Sequence, residues 1–198
     1  MDKVAEYGIM LVAGWASGVS IYFTVAFLGI AGRAGWVTLP GNLVTLENPL
    51  IIAAALFLAC IEFVADKVPF VDSMWDGVHT FIRPAGAVVL GLMAGTEAGP
   101  IAQTLFALLT GSIALDSHAV KATTRLAINT SPEPFSNVAA SLAEGAALLF
   151  VFWLFVKHPL LACLLVLAFV VGSFFILRAL WGFARRLFRR QAPAGAGT

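Results

Sequence analysis

The sequence predicts an all-α, polytopic membrane helix bundle, and three observations carry that expectation. Of 198 residues, 60% are hydrophobic and 12% are charged, about half the charged share of an ordinary soluble domain. Mean hydropathy is +0.93. The apolar residues fall in runs approaching the ~20 residues a helix needs to cross a bilayer. This composition excludes a soluble enzyme and a disordered chain. A formal net charge of +1 excludes the basic surface of a nucleic-acid binder. Cys60 and Cys163 both lie inside apolar runs, which argues against a disulfide framework or a zinc ribbon.

Six spans are expected within one transmembrane domain over residues 1–190: Gly8 to Ile30, Pro49 to Ala65, Thr80 to Ala94, Pro100 to Leu115, Val138 to Val156 and Pro159 to Trp181. The spans ending near Ala65 and beginning near Thr80 are short enough to be tilted or re-entrant. Met1 to Tyr7 is mixed in charge and the apolar stretch after it is long enough to span, so the first helix is expected to stay rather than be cleaved. Gln191 to Thr198, rich in Ala and Gly, is expected to be disordered. Six spans put both termini on one side. The tail with Arg178, Arg185, Arg186, Arg189 and Arg190 makes that side cytoplasmic by the positive-inside rule, and Lys3, Lys67, Arg83, Lys121 and Arg125 join it. Only Arg33 and Lys157 then face the other way. The expected location is a bacterial inner membrane, with anionic lipid as a candidate contact of the tail.

The remaining charges gather in two windows. Sliding the chain by 50 residues superposes them: Asp66 on Asp116, Thr80 on Thr130, Pro84 on Pro134, Val88 on Val138, Leu92 on Leu142 and Gly95 on Gly145. The expectation is a duplicated helix–polar connector–helix unit, about 51–95 and 101–145, related by an axis along the membrane normal. Each connector reads as an amphipathic helix. Asp72, Asp76, His79 and Arg83 share one face of the first, with Phe70, Met74, Trp75, Val78 and Phe81 on the other. His118, Lys121, Arg125 and Asn129 share one face of the second, and Ser131-Pro132-Glu133-Pro134 resembles a helix start. Asp72 and Asp76 are therefore expected to meet Lys121 and Arg125. The result is either an ion-pair network holding the hairpins in register or a polar gate at the cytoplasmic mouth, with Lys67, Asp116, His118 and Glu133 as further members.

Charged side chains held in lipid cost roughly 2.5–3.5 kcal/mol at mid-span on insertion scales, so those retained tend to face protein or water. Glu144 lies ten residues beyond Pro134, about 15 Å along a helix, close to the midplane. Glu62 and Asp66 are one turn apart on one helical face. Such carboxylates suit a shared proton or a hard divalent cation, with Glu62 and Asp66 as the candidate metal ligands. The plain alternative is a protonated Glu bonded to a neighbouring helix. Gly14 and Gly18 form a small-xxx-small motif for close packing of the first helix.

The segments Ala16-Ser17-Gly18, Glu62-Phe63-Val64-Ala65-Asp66-Lys67-Val68-Pro69-Phe70-Val71-Asp72, Phe81-Ile82-Arg83-Pro84, His118 through Arg125 and Asn129 through Pro134 resemble a bacterial membrane family known as domain of unknown function 4126. The resemblance covers roughly Gly8 to Phe155. It implies a multi-span membrane protein and an acidic pair where this chain has Glu144-Gly145, but no reaction.

Three functions compete. The first is a transporter or channel for a small ion or solute, with Glu62, Asp66 and Glu144 binding the ion behind a charged gate and a homo-oligomer enclosing the path. The second is handling of a phosphorylated lipid by His118, Lys121 and Arg125, with Mg²⁺ on Asp66, Asp72 and Asp76. The third is a non-catalytic assembly subunit. No Ser/His/Asp triad, phosphate loop or HExxH motif appears, so an enzymatic reading has no motif behind it.

Overall fold

The computed structural model describes residues 3–68, 70–130 and 134–191. Within them lie α1 (Lys3–Val19), α2 (Ile21–Arg33), α3 (Pro49–Ala65), α4 (Val71–Ala94), α5 (Pro100–Ile128), α6 (Pro134–Lys157) and α7 (Pro159–Gln191), with a 3-10 helix over Gly41–Glu47 before α3. The described residues are helical or in turns and contain no strand, so the all-α expectation holds. Three helices are long and apolar enough to cross a membrane, Val71–Ala94, Phe135–Lys157 and Pro159–Ala179. The 3-10 helix and α3 meet the same test only as a pair bent by 75°. Tyr7–Val19 and Ile21–Arg33 are shorter apolar helices, so length and composition single out three spans, or four with the bent pair, beside the six expected.

The first expected span is two helices. Ser20 leaves the helical region (φ −154°, ψ 108°), and its side chain caps the new helix by accepting from the Phe23 N–H. Contacts on either side of this break show that the chain reverses. Along α1, Tyr7 packs on Phe106 near the start of α5, and Gly18 abuts Ala114 and Ser117 further down it. Along α2, Ser20 reaches Glu62 near the end of α3, whereas Gly29 abuts Leu46 and Ile52 near its start. The helix α2 thus runs back toward the end where α1 began. A serine between Val19 and Ile21 inside an apolar run turns out to cap a hairpin tip, which hydropathy alone does not register.

The pairs α3–α4 and α5–α6 are also hairpins, closing at the end opposite Tyr7. Gly41 meets Met93 and Thr96 at the far end of α4, and Thr110 Oγ1 donates to Ala87 O across the α4–α5 contact at 2.7 Å. The two hairpins run in the same direction, but the 50-residue register does not extend to their boundaries. The helix α5 runs unbroken for 29 residues where α3 has 17, and Pro84 lies inside α4 whereas its counterpart Pro134 opens α6. The expected connectors are consequently the first half of α4 and the last part of α5. With α7 packing its Cys163 near Gly8 and its Ser173 on Asp116 of α5, α1 begins at one end of the bundle and α7 finishes at the other. Gln191, expected in a disordered tail, closes α7; residues 192–198 lie outside the described residues.

The central helix is α1, with Ile9, Met10, Val12, Ala13 and Ala16 buried. Gly14 and Gly18 face α5, where a Cβ at 14 would stand 3.1 Å from the Thr110 backbone and one at 18 would collide with Ala114 O and Ser117 Oγ. The small-xxx-small motif is thus a close helix contact. Elsewhere the bundle is inside out relative to a soluble one. On α4, Asp72, Asp76, His79 and Arg83 are buried, while Met74, Val78 and Phe81 are 60–79% exposed. A stripe with charge inward and hydrocarbon outward suits a surrounding lipid phase.

Candidate functional site

The buried charges form one cluster under the tip of the α1–α2 hairpin. Arg83 lies 12 residues from Val71 and 11 from Ala94, at the middle of α4, and Glu144 lies 10 residues into the 24-residue α6. The cluster is therefore at mid-depth of the two helices rather than at a mouth. Arg83 is fully buried and pairs with Glu62 at 2.7 Å and Asp76 at 2.9 Å. Lys121 pairs with Asp66 at 2.7 Å and Glu144 at 3.3 Å. Arg125 grips Glu144 with two parallel bonds, Nε to Oε1 at 3.1 Å and Nη2 to Oε2 at 2.9 Å. It also donates from Nη1 to the Asp66 and Asn137 carbonyls, each at 3.0 Å.

The helix reversal contributes backbone to the same site. The last carbonyls of a helix have no intrahelical partner and carry partial negative charge. At the end of α1, Gly18 O accepts from Arg83 Nη1 at 3.3 Å and Val19 O accepts from Lys121 Nζ at 3.2 Å. At the start of α2, Ser20 Oγ donates to Glu62 Oε2. The end of α1 and the start of α2 thus meet buried ions of complementary sign. Ser20 and these carbonyls were not among the expected site residues.

The histidines complete the network. Arg83 Nη1 lies 2.7 Å from His118 Nδ1, and a guanidinium only donates, so the His118 proton belongs on Nε2, 3.0 Å from Thr80 Oγ1. His79 Nδ1 lies 2.8 Å from Trp75 O and its Nε2 3.2 Å from the Tyr22 hydroxyl. Asp72 does not meet Lys121 or Arg125. Both its oxygens accept from Asn129 Nδ2, at 2.9 and 3.0 Å, and Asn129 in turn accepts from Asn137 Nδ2 at 2.8 Å. Asp76 pairs with Arg83 of its own helix instead of the α5 cations. The expected Asp72/Asp76 to Lys121/Arg125 pairing is replaced because Asp66 and Glu144 hold the α5 cations.

Glu62, Asp66 and Glu144 do line one cavity, of about 180 Å³, together with Val19, Ser20 and Lys121. Phe23, Phe63, Leu148 and Leu149 form its apolar walls. Lys67 stands at its edge, donating to Phe63 O at 3.0 Å and Ser141 Oγ at 3.2 Å. Glu62 and Asp66 are turned to different cations, and among the described residues no group of three or more His, Cys, Asp or Glu side chains is placed to hold a metal ion. Asp116 is not part of the cluster; it accepts from Ser173 Oγ of α7 at 2.8 Å. Glu133 lies outside the described residues.

No curated protein and no solved structure matches the chain. A family model described as a domain of unknown function, DUF4126, matches residues 8–179, which include every charged side chain of the cluster. The chain therefore belongs to the DUF4126 family.

Proposed function

We propose that the protein is an integral membrane transporter of a small ion or solute, with Glu62, Asp66 and Glu144 as its binding groups. The observation that carries this reading is the cavity under the hairpin tip, where three carboxylates, the end of α1 and the start of α2 converge at mid-depth of the bundle. Arg83, Lys121 and Arg125 set the charge balance and act as the gate, with the fixed carbonyls of Gly18 and Val19 as alternative anchors for their donors. The end of the bundle where α7 finishes carries Lys67 and the Arg-rich segment, so it is the cytoplasmic end of a bacterial inner-membrane protein under the positive-inside rule. Arg83, Lys121 and Arg125 no longer count toward that rule, being buried.

The lipid-phosphate reading loses support because Lys121 and Arg125 already bond carboxylates and His118 bonds Arg83 and Thr80. Each of the three cavity carboxylates pairs with a cation, which also suits a static framework, and transport measurements separate the two. Purified protein in liposomes loaded with a pH dye is challenged with imposed gradients of Na⁺, K⁺ and H⁺ and of small organic ions. The expected result is a flux that Glu144→Gln and Asp66→Asn each reduce at least tenfold. Flux unchanged in both variants removes the proposed role of these carboxylates.

A further inference from the structure

The cavity has two chemical characters, and together they specify a ligand more closely than the transport reading on which this inference rests. Its floor is acidic. The surrounding cluster holds five carboxylates, Glu62, Asp66, Asp72, Asp76 and Glu144, against three cations, Arg83, Lys121 and Arg125. Counting Lys67 at the edge, the acids still exceed the cations. An anion would deepen this imbalance, whereas a cation relieves it.

Of the three carboxylates that line the cavity, Asp66 alone has an oxygen among the buried atoms without a hydrogen-bond partner. Asp66 is 5% exposed; its Oδ2 takes Lys121 at 2.7 Å, while its Oδ1 is buried with no hydrogen-bond partner. A buried carboxylate oxygen without a donor is costly, and this one belongs to a residue on the cavity wall. The neighbouring oxygens already hold a primary ammonium: Lys121 Nζ is bound by Asp66 Oδ2, Glu144 Oε2 and Val19 O at 2.7–3.3 Å. Three oxygens about one –NH₃⁺ match its three donors.

The rest of the wall is hydrocarbon. Phe23, Ala59, Phe63, Leu148 and Leu149 would leave a bare alkali cation poorly solvated on that side, but they suit an alkyl or aryl group. The space also exceeds that of a single ion. A second cavity of about 360 Å³, lined by Phe27, Trp36, Leu149, Trp153, Val156 and Lys157, has Leu149 in common with the first.

We propose that the cavity under the α1–α2 tip binds a protonated organic amine, its ammonium on Asp66 and its apolar part between Phe23, Leu148 and Leu149. Lys121 is then a tethered ammonium next to the incoming one, and Glu62, Glu144, Arg83, Arg125 and Lys67 are the other charges facing the site.

Thermal unfolding of the full-length protein in neutral detergent tests this with defined probes: methylammonium, butylammonium and hexylammonium chlorides against NaCl and KCl at equal ionic strength, with hexanol and hexanoate as uncharged and anionic counterparts. The expected result is saturable stabilisation by the alkylammonium ions, with affinity rising on the order of fourfold per methylene. Asp66→Asn abolishes it. Because that variant also breaks the Lys121 pair, Gly145→Leu serves as the second probe. Gly145 lines the cavity, and a Cβ there meets nothing within 4 Å, so the larger side chain enters the space from a residue that itself makes no ion pair. Gly145→Leu is expected to unfold as the parent does and to lose the amine response. Equal stabilisation by NaCl, KCl or hexanol, no stabilisation by any amine, or an undiminished amine response in Gly145→Leu overturns the proposal. Binding is read without a membrane gradient, so amine binding with no flux sinks the transport reading alone, and ion flux with no amine binding sinks this inference alone.

Discussion

Lys121 Nζ stands 2.7 Å from Asp66 Oδ2, joining the last third of α5 to the end of α3 at the cavity wall. The pair is buried on both sides, and removal of one partner leaves an uncompensated charge, which typically costs about 3–5 kcal/mol. Lys121→Met is therefore expected to lower stability by that order. The double variant Lys121→Met with Asp66→Asn is expected to recover a large part of it. Denaturant unfolding of the four proteins in one detergent gives the coupling energy; additive losses would show that the two side chains do not act as a pair.

Gly18 is the second point of leverage, because it sets how closely the hairpin tip approaches α5. A Cβ there collides with Ala114 O, which is backbone and cannot rotate away. Gly18→Ala is expected to destabilise by about 1–3 kcal/mol through overpacking, whereas Gly145→Ala, in the interior of α6 with open space around it, is expected to raise stability by up to about 1 kcal/mol. Equal unfolding temperatures for both variants would contradict the packing described here.

Asn129 is the sole side-chain donor found to both oxygens of Asp72 among the described residues. Asn129→Ala leaves a fully buried carboxylate short of donors, with an expected loss of about 1–3 kcal/mol. Asn129→Asp places two acids in contact and is expected to cost more. Stability that is the same in Asn129→Asp as in the parent would rule out the Asp72–Asn129 contact.

The chain path makes a topological prediction. Tags placed before α1 and after α7 are expected to be accessible from opposite faces of the membrane in sealed vesicles. Both tags labelled from the same face would restore the six-span arrangement and remove the α1–α2 reversal.

The parts of the molecule visible in the sequence are those fixed by residue spacing. Asp72, Asp76, His79 and Arg83 recur on one helical face, and all four are buried together on α4. Glu62, Asp66 and Glu144 stood out as acids in apolar surroundings, and they share a cavity wall. What spacing does not encode is direction of travel. Residues 8–30 are apolar on both sides of Ser20, so their pattern is the same for one long helix and for a reversing pair; only the contact of Ser20 with Glu62 and of Gly29 with Leu46 distinguishes them. Partner choice was hidden for a similar reason. Complementary stripes on α4 and α5 suggested mutual pairing, but α3 and α6 bring Asp66 and Glu144 to the same cations. The 50-residue match aligned Asp116 with Asp66, yet Asp116 faces α7 because α5 has no break at that level.

Transport and amine binding both require a wet, cation-accepting space at mid-depth of the bundle, and a cysteine in place of Gly145 reports on it directly. In a Cys60→Ser, Cys163→Ser background, Gly145→Cys is expected to react with a small, membrane-impermeant, positively charged thiol reagent, and butylammonium is expected to slow that reaction. Phe150→Cys, on the exposed face of the same helix, is expected to stay unlabelled in lipid. A Gly145→Cys protein as inert as Phe150→Cys would mean that the cavity is closed to water and to cations, and the binding site proposed here would not exist.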